Sequence, residues 1–164
     1  MERPTAAAVR VAIALGSNLG DRARHLADGV ERLRAVLTDV QASSTVESAP
    51  EGGVDQPPYL NAALVGRTTL SPRDLLDRLL AIEREQGRRR TGPGSSRTLD
   101  LDLVLYEGRR IAEPGLEVPH PRFRQRWFVL APLAEIAPDL VDPVTGETID
   151  ALLKRLGRRT GPDA

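Results

Sequence analysis

Apolar positions in this chain recur with two different periods, and the switches between them mark out its elements. Val9, Val11, Ile13 and Leu15 alternate with small or polar residues, which predicts a first strand over 9–15. Gly16-Ser17-Asn18-Leu19-Gly20 then turns the chain and Asp21 offers a capping side chain. Leu26, Val30, Leu33, Val36 and Leu37 follow at helical spacing, so a first helix is expected over 21–37. A second strand is expected from Val40 to Val46, before a loop rich in Pro and Gly that runs from Ser48 to Pro58; loops of that length are often functional. Tyr59 to Thr68 reads as a third strand. Ser71-Pro72 opens a second helix, with Ser as cap and Pro in the first turn, and Leu75, Leu76, Leu79, Leu80 and Ile82 carry it to Gly87. After an Arg- and Gly-rich loop over 88–97, strict alternation returns in Thr98-Leu99-Asp100-Leu101-Asp102-Leu103.

Beyond Tyr106-Glu107-Gly108 the pattern is weaker. The chain reads as irregular to Pro121, as helical from Arg122 to Ala137 with a break or a new helix start near Pro132, and as a short helix near 149–156. Residues 1–8 and 157–164 read as tails, which leaves one domain over 9–156 without repeat or linker. The order strand, helix, strand, strand, helix, strand predicts an α+β fold, a ferredoxin-like sandwich. Its antiparallel sheet carries split β-α-β units with both crossover helices on one face, and extra helices follow at the C-terminal end.

Composition narrows what such a domain can do. The 23 basic and 23 acidic residues cancel, so no global field draws the protein to nucleic acid or to an anionic membrane. Cysteine is absent, which removes disulfides and thiolate metal sites and fits a cytoplasmic location. No apolar run approaches the roughly 18 residues of a membrane span. Lys154 is the sole lysine, and no Gly-x-x-x-x-Gly-Lys-Ser/Thr string occurs. Any phosphate must therefore be bound by arginine, metal and backbone amides.

The alternating run from Leu99 to Leu103 holds the most specific chemistry. Successive strand side chains point to opposite faces, so Asp100 and Asp102 project together, roughly 7 Å apart, while the leucines face the other way. That pair could be the solvated face of an edge strand. It could equally be a site for a hard cation, since Mg²⁺ takes one or two carboxylates with water and phosphate oxygens. Asp is a poor strand former, and such local conflict is expected at functional sites. Glu83, Arg88, Arg89, Arg90 and Arg97 bracket the preceding loop, as phosphate ligands or as a solvated basic loop. In Pro119-His120-Pro121-Arg122-Phe123-Arg124-Gln125-Arg126-Trp127-Phe128, helical spacing cannot bring all three arginines to one face. His120 and Arg126 are the candidates there, Arg126 because it adjoins two aromatic residues. Tyr59 and Asn61 share a strand face, an aromatic plate beside an amide that would suit a flat heterocycle; a buried Tyr and a turn Asn would explain them as well.

Taken together these strings resemble the 6-hydroxymethyl-7,8-dihydropterin pyrophosphokinases of folate biosynthesis. The resemblance rests on Ala14-Leu15-Gly16-Ser17-Asn18-Leu19-Gly20-Asp21-Arg22, Asp55-Gln56-Pro57-Pro58-Tyr59-Leu60-Asn61-Ala62, Ile82-Glu83 with Gly87-Arg88, Arg97-Thr98-Leu99-Asp100-Leu101-Asp102, Val118-Pro119-His120-Pro121-Arg122, and Pro132-Leu133 with Ile136-Ala137-Pro138. It implies transfer of pyrophosphate from ATP to the pterin hydroxymethyl oxygen with release of AMP, by a monomer that needs no nucleic acid or membrane. Two Mg²⁺ ions would lie on Asp100 and Asp102. Arg88, Arg97, His120 and Arg126 would be the other catalytic contacts, with Glu83, Arg90 and Leu103 completing the ATP site. Ser48, Ala49, Glu51, Tyr59, Asn61 and Phe128 would hold the pterin. A binding protein without catalysis, or another Mg²⁺-dependent phosphoryl transferase on the same fold, would share most of these residues. Two departures stand out: Thr91-Gly92-Pro93-Gly94-Ser95-Ser96 lacks the Arg-Trp pair usual before the Asp-x-Asp strand, and Glu51 occupies a position that is usually apolar.

Overall fold

A computed structural model describes residues 7–49, 57–87 and 98–160, with side chains to Gly157. Four strands build the main sheet around β1 (Val9–Ser17), which pairs antiparallel with β4 (Tyr59–Thr68) on one side and β5 (Asp100–Tyr106) on the other. Outside β4 lie β2 (Thr38–Ala42) and β3 (Val46–Ser48), both antiparallel to it. The order β2-β4-β1-β5 places β4 between β1 and β2, and β1 between β4 and β5, so each β-α-β unit is split by a strand of the other. The strand and helix order predicted this arrangement.

Alternation along the central strands sorts residues into two cores. Val11, Ile13 and Leu15 of β1, Ala62 and Leu64 of β4, and Leu101 and Leu103 of β5 pack with Leu26 and Leu33 of α1 (Arg22–Arg34) and Leu75, Leu79 and Ile82 of α2 (Pro72–Gly87). The opposite face offers smaller residues, Ala12, Ala14, Ala63 and Val65. These meet Val129, Leu130 and Leu133 of α3 (Trp127–Ile136), and Ile149 and Leu152 of α4 (Ile149–Thr160). Both crossover helices thus cover one face and the C-terminal helices the other. The predicted helix starts are in place: the Asp21 carboxylate accepts from the Arg24 N–H (3.2 Å) and Ser71 Oγ from the Asp74 N–H (3.1 Å).

Several boundaries depart from the periodicity, each for a local reason. The first helix ends at Arg34 rather than 37, although Leu37 still fills the core and so prolonged the pattern. The single strand expected over 40–46 is two strands, because Ser43 Oγ takes the place of a backbone acceptor for the Ala63 N–H (2.8 Å) and interrupts the ladder. The irregular stretch after Gly108 contains a hairpin, β6 (Ile111–Glu113) and β7 (Leu116–Val118). Its turn is Pro114-Gly115, with Gly115 at φ 74°, which a side chain would oppose. The segment 122–137 does break, but at Arg126, between a 3-10 turn (Phe123–Gln125) and α3, and Pro132 sits inside the continuous helix. The last helix continues to Thr160, so the tail expected from 157 begins later.

Candidate active site

Three cross-strand rows build a shallow floor on the α3 side of the sheet. Asp100 lies opposite Gly16, which lies opposite Asn61; Asp102 lies opposite Ala14, which lies opposite Ala63; and Ser48 lies opposite Tyr59 at the end of β3. Two carboxylates therefore stand on one side of a strip of small residues, with an amide, a hydroxyl and a phenol on the other. The break in the chain at Arg126, whose backbone is extended (φ −111°, ψ 97°), starts α3 above this floor. Arg126, Phe128 and Val129 close the cavity that the sheet residues line. The Arg126 guanidinium lies 5.8 Å from the centre of the Phe128 ring, and Trp127 meets that ring edge-on at 6.2 Å and 89°.

Gly16 is what keeps this cavity open. A Cβ there would point between Asn61 Oδ1 and the Tyr59 ring, 3.4 Å from each. Asn61 gives its amide hydrogens to Ser48 Oγ (2.9 Å) and the Val46 carbonyl (3.2 Å). Its Oδ1 is thereby the face it presents to the cavity, and the Ser48 hydroxyl, having accepted from Asn61, keeps its own proton to donate. An acceptor and a donor at the edge of a slot beside aromatic rings suit a flat nitrogen heterocycle.

A second cavity lies beyond β5, lined by Leu76, Leu103, Leu116, Glu117 and His120 among others. Asp102 lines both cavities. His120 is fixed beside β5 by its N–H on the Val104 carbonyl (3.1 Å), and its Nδ1 accepts from the Arg122 N–H (3.2 Å). In the neutral ring the proton is then on Nε2. Burial pushes the His120 pKa down; Asp102 opposes that, and Arg126 and Arg122 add to it, with the net effect below the ordinary histidine value. His120 is accordingly a neutral donor at physiological pH.

Other predicted residues fall differently. Glu83 lines neither cavity; its carboxylate accepts from the Leu101 N–H (2.6 Å), bracing the strand between the two aspartates. Ala49 lines the first cavity and Leu103 the second. Arg88, Arg90, Arg97 and Glu51 lie outside the described residues. Among the three arginines at 122, 124 and 126, Arg124 is committed to structure. Its guanidinium grips buried Asp142 through Nε (2.6 Å) and Nη2 (3.0 Å), anchoring the turn that leads into Arg126. Burial pushes the Asp142 carboxyl up, but hydrogen bonds from Arg124, Thr145 and the Val144 N–H outweigh it and hold the group below the usual carboxylate range. A depressed carboxylate stabilises the fold above its unfolded pKa, and that contribution is lost as pH falls through the folded one. Asp142→Asn is thus expected to lower unfolding free energy by about 3 kcal/mol at neutral pH. Denaturant titrations at a series of pH values should show the gap to wild type closing in acid.

Among the described residues no cluster of three or more His, Cys, Asp and Glu side chains could hold a metal by itself. Two carboxylates on one face fit a hard cation that takes its remaining ligands from phosphate and water, the habit of Mg²⁺. The sequence reading missed Gly16 and Ala14 as the cavity floor. The first strand was expected to end at Leu15 with Gly16 in the turn, whereas β1 runs to Ser17 and makes Gly16 an in-strand glycine, the kind that marks close approach of a ligand to the backbone.

Two cavities that share Asp102, on an α+β sheet, are a layout that suits a two-substrate transferase. Residues 12–138 match the model of the 7,8-dihydro-6-hydroxymethylpterin-pyrophosphokinase (HPPK) family, and the chain belongs to that family. It is 43% identical over 149 residues to the 2-amino-4-hydroxy-6-hydroxymethyldihydropteridine pyrophosphokinase of Methylorubrum extorquens, covering 90% of this chain and 93% of that protein. The Bacillus subtilis protein of the same name is 43% identical over 140 residues, covering 84% of each. The crystal structure of wild-type Plasmodium falciparum HPPK-DHPS superposes with a TM-score of 0.73 at 14% identity. That likeness of fold takes in 94% of this chain and 46% of the other.

Proposed function

We propose that this protein transfers the β,γ-pyrophosphoryl group of ATP to the hydroxymethyl oxygen of 6-hydroxymethyl-7,8-dihydropterin, giving the pterin diphosphate and AMP. The observation that carries this reading is Asp102, which lines both cavities with Asp100 beside it. A hydroxyl from one cavity and a triphosphate from the other would meet there. The new bond joins the pterin oxygen to the β-phosphorus, and the bond that breaks is the one to the oxygen retained by AMP.

Each residue then has a definable task. The strip formed by Ala14 and Gly16 admits the pterin ring edge beneath Phe128, with Tyr59 beside it. Asn61 Oδ1 accepts from a ring N–H, and the Ser48 hydroxyl donates to a ring acceptor. Asp100 and Asp102 would hold two Mg²⁺ ions. Such ions, when bound, neutralise the triphosphate and prepare the hydroxyl for in-line attack. Arg126 sets a positive charge where negative charge gathers on the transferring group. His120 donates from Nε2 to a phosphate oxygen in the second cavity, and Leu103 faces the nucleotide. Glu83 keeps Leu101, and with it the spacing of the two aspartates, in place. Arg88, Arg90, Arg97 and Glu51 belong to this reading by resemblance alone. No described helix is long and apolar enough to cross a membrane; the reading takes the protein as a cytoplasmic monomer.

Purified protein incubated with ATP, Mg²⁺ and the hydroxymethyl dihydropterin tests this directly. AMP formed in step with pterin diphosphate is the expected result. ADP as the sole nucleotide product, or binding of both substrates without turnover, would contradict it.

A further inference from the structure

Two arginines that line neither cavity each hold one cavity wall from outside. β3 is three residues long, and its ladder to β4 ends at the pair Ser48↔Tyr59, two of the residues that face the first cavity. Beyond that pair β4 is preceded by Pro57-Pro58, and neither proline has an N–H to extend the ladder. The end of a short ladder frays unless something else ties it. Here the first turn of α1 does so. Arg22 donates from Nη1 to the Pro58 carbonyl (2.8 Å) and sets Nη2 2.9 Å from the Glu47 carboxylate, while Asn18 donates to the Pro57 carbonyl (3.3 Å). Pro58 precedes Tyr59 and Glu47 precedes Ser48, so one guanidinium spans both strands at their open end.

The second cavity repeats the device with other elements. Its wall includes Gly115 and Leu116 of the β6–β7 hairpin. A two-stranded hairpin is marginal by itself. Arg73, in the first turn of α2, donates from Nη2 to the Glu113 carboxylate (3.1 Å) and to the Pro114 carbonyl (3.1 Å) at the hairpin turn.

We propose that Arg22 and Arg73 are positioning residues, Arg22 for the pterin wall and Arg73 for the nucleotide wall, each acting on one substrate and not the other. The assignment of substrates rests on the reading above. Arg22 is half-buried, while Arg73 and both acidic partners are exposed, and ion pairs open to solvent add at most about 1 kcal/mol to stability. Removing either should spare the fold and loosen one wall. Lysine cannot replace the planar fork, because a single ammonium does not span two acceptors in fixed geometry.

Steady-state kinetics on the full-length protein, with each substrate varied in turn, tests this. Arg22→Ala is expected to raise KM for the pterin about tenfold while KM for ATP stays within about twofold; Arg73→Ala should give the converse. Arg22→Lys should keep most of the Arg22→Ala defect, and melting temperatures should fall by no more than about 3 °C. Should an alanine variant fail to fold, Arg22→Lys and Arg73→Lys carry the same crossed comparison. A rise in both KM values for either variant, no rise in either, or full recovery with lysine overturns the inference while leaving the activity intact. Wild-type protein that makes no AMP overturns the underlying reading instead.

Discussion

Asp102→Ala is expected to lower kcat by about 10³-fold or more, equivalent to roughly 4 kcal/mol of transition-state stabilisation, without destabilising the protein. Asp102 lines both cavities and would share the metal ions with Asp100, so its loss strips a ligand from the point where the substrates meet. Structurally the carboxylate supports little. It sits inside a strand, where aspartate is disfavoured, and beside a like charge two residues away. The variant should therefore melt at or slightly above the wild-type temperature. Mg²⁺ with ATP should raise the wild-type melting temperature and move that of the variant much less, because ligand stabilisation scales with affinity for the folded state. Near-normal turnover in this variant would remove the metal role.

Gly16→Ala is the second large effect, and it separates binding from folding most cleanly. The added methyl would stand 3.4 Å from Asn61 Oδ1 and from the Tyr59 ring, ordinary contact distances that the folded protein tolerates. The strand itself gains from losing a glycine. The methyl nevertheless occupies the space a bound ring needs, and overpacking a filled site costs about 1–3 kcal/mol. Pterin affinity should fall roughly 50-fold by that measure, with nucleotide affinity retained. Calorimetric titration with each ligand reads both. Equal pterin affinity in the two proteins would show that the ring does not lie on this floor.

These two positions also show how differently the site was written into the chain. Asp100 and Asp102 were legible because a strand has period two: their shared face follows from spacing alone, and the leucines between them fix which face is buried. Asp21 and Ser71-Pro72 were legible because helix ends need specific side chains. Gly16 was not, since its contribution is an absent side chain whose meaning appears only when Asn61 and Tyr59 arrive from a distant strand. Arg126 is an intermediate case. Its chemistry was evident, but the break that lifts it over the sheet was expected at Pro132, where the ring is accommodated inside α3. The division of β2 from β3 depends on one serine hydroxyl satisfying a backbone N–H across the sheet, a tertiary event no local pattern encodes. Glu83 reads from the chain as a carboxylate bracketing the loop, and only the fold shows that it braces the Leu101 N–H.

The central claim is that a hydroxyl held in the first cavity attacks the β-phosphorus of a nucleotide held in the second. ATP labelled at its β-phosphorus, incubated with the protein, Mg²⁺ and 6-hydroxymethyl-7,8-dihydropterin, reports the point of attack without reference to rate. The account predicts that the label converted to product appears in the pterin diphosphate, matched mole for mole by unlabelled AMP. Label retained in ADP, with a singly phosphorylated pterin, would place the attack on the γ-phosphorus and contradict it.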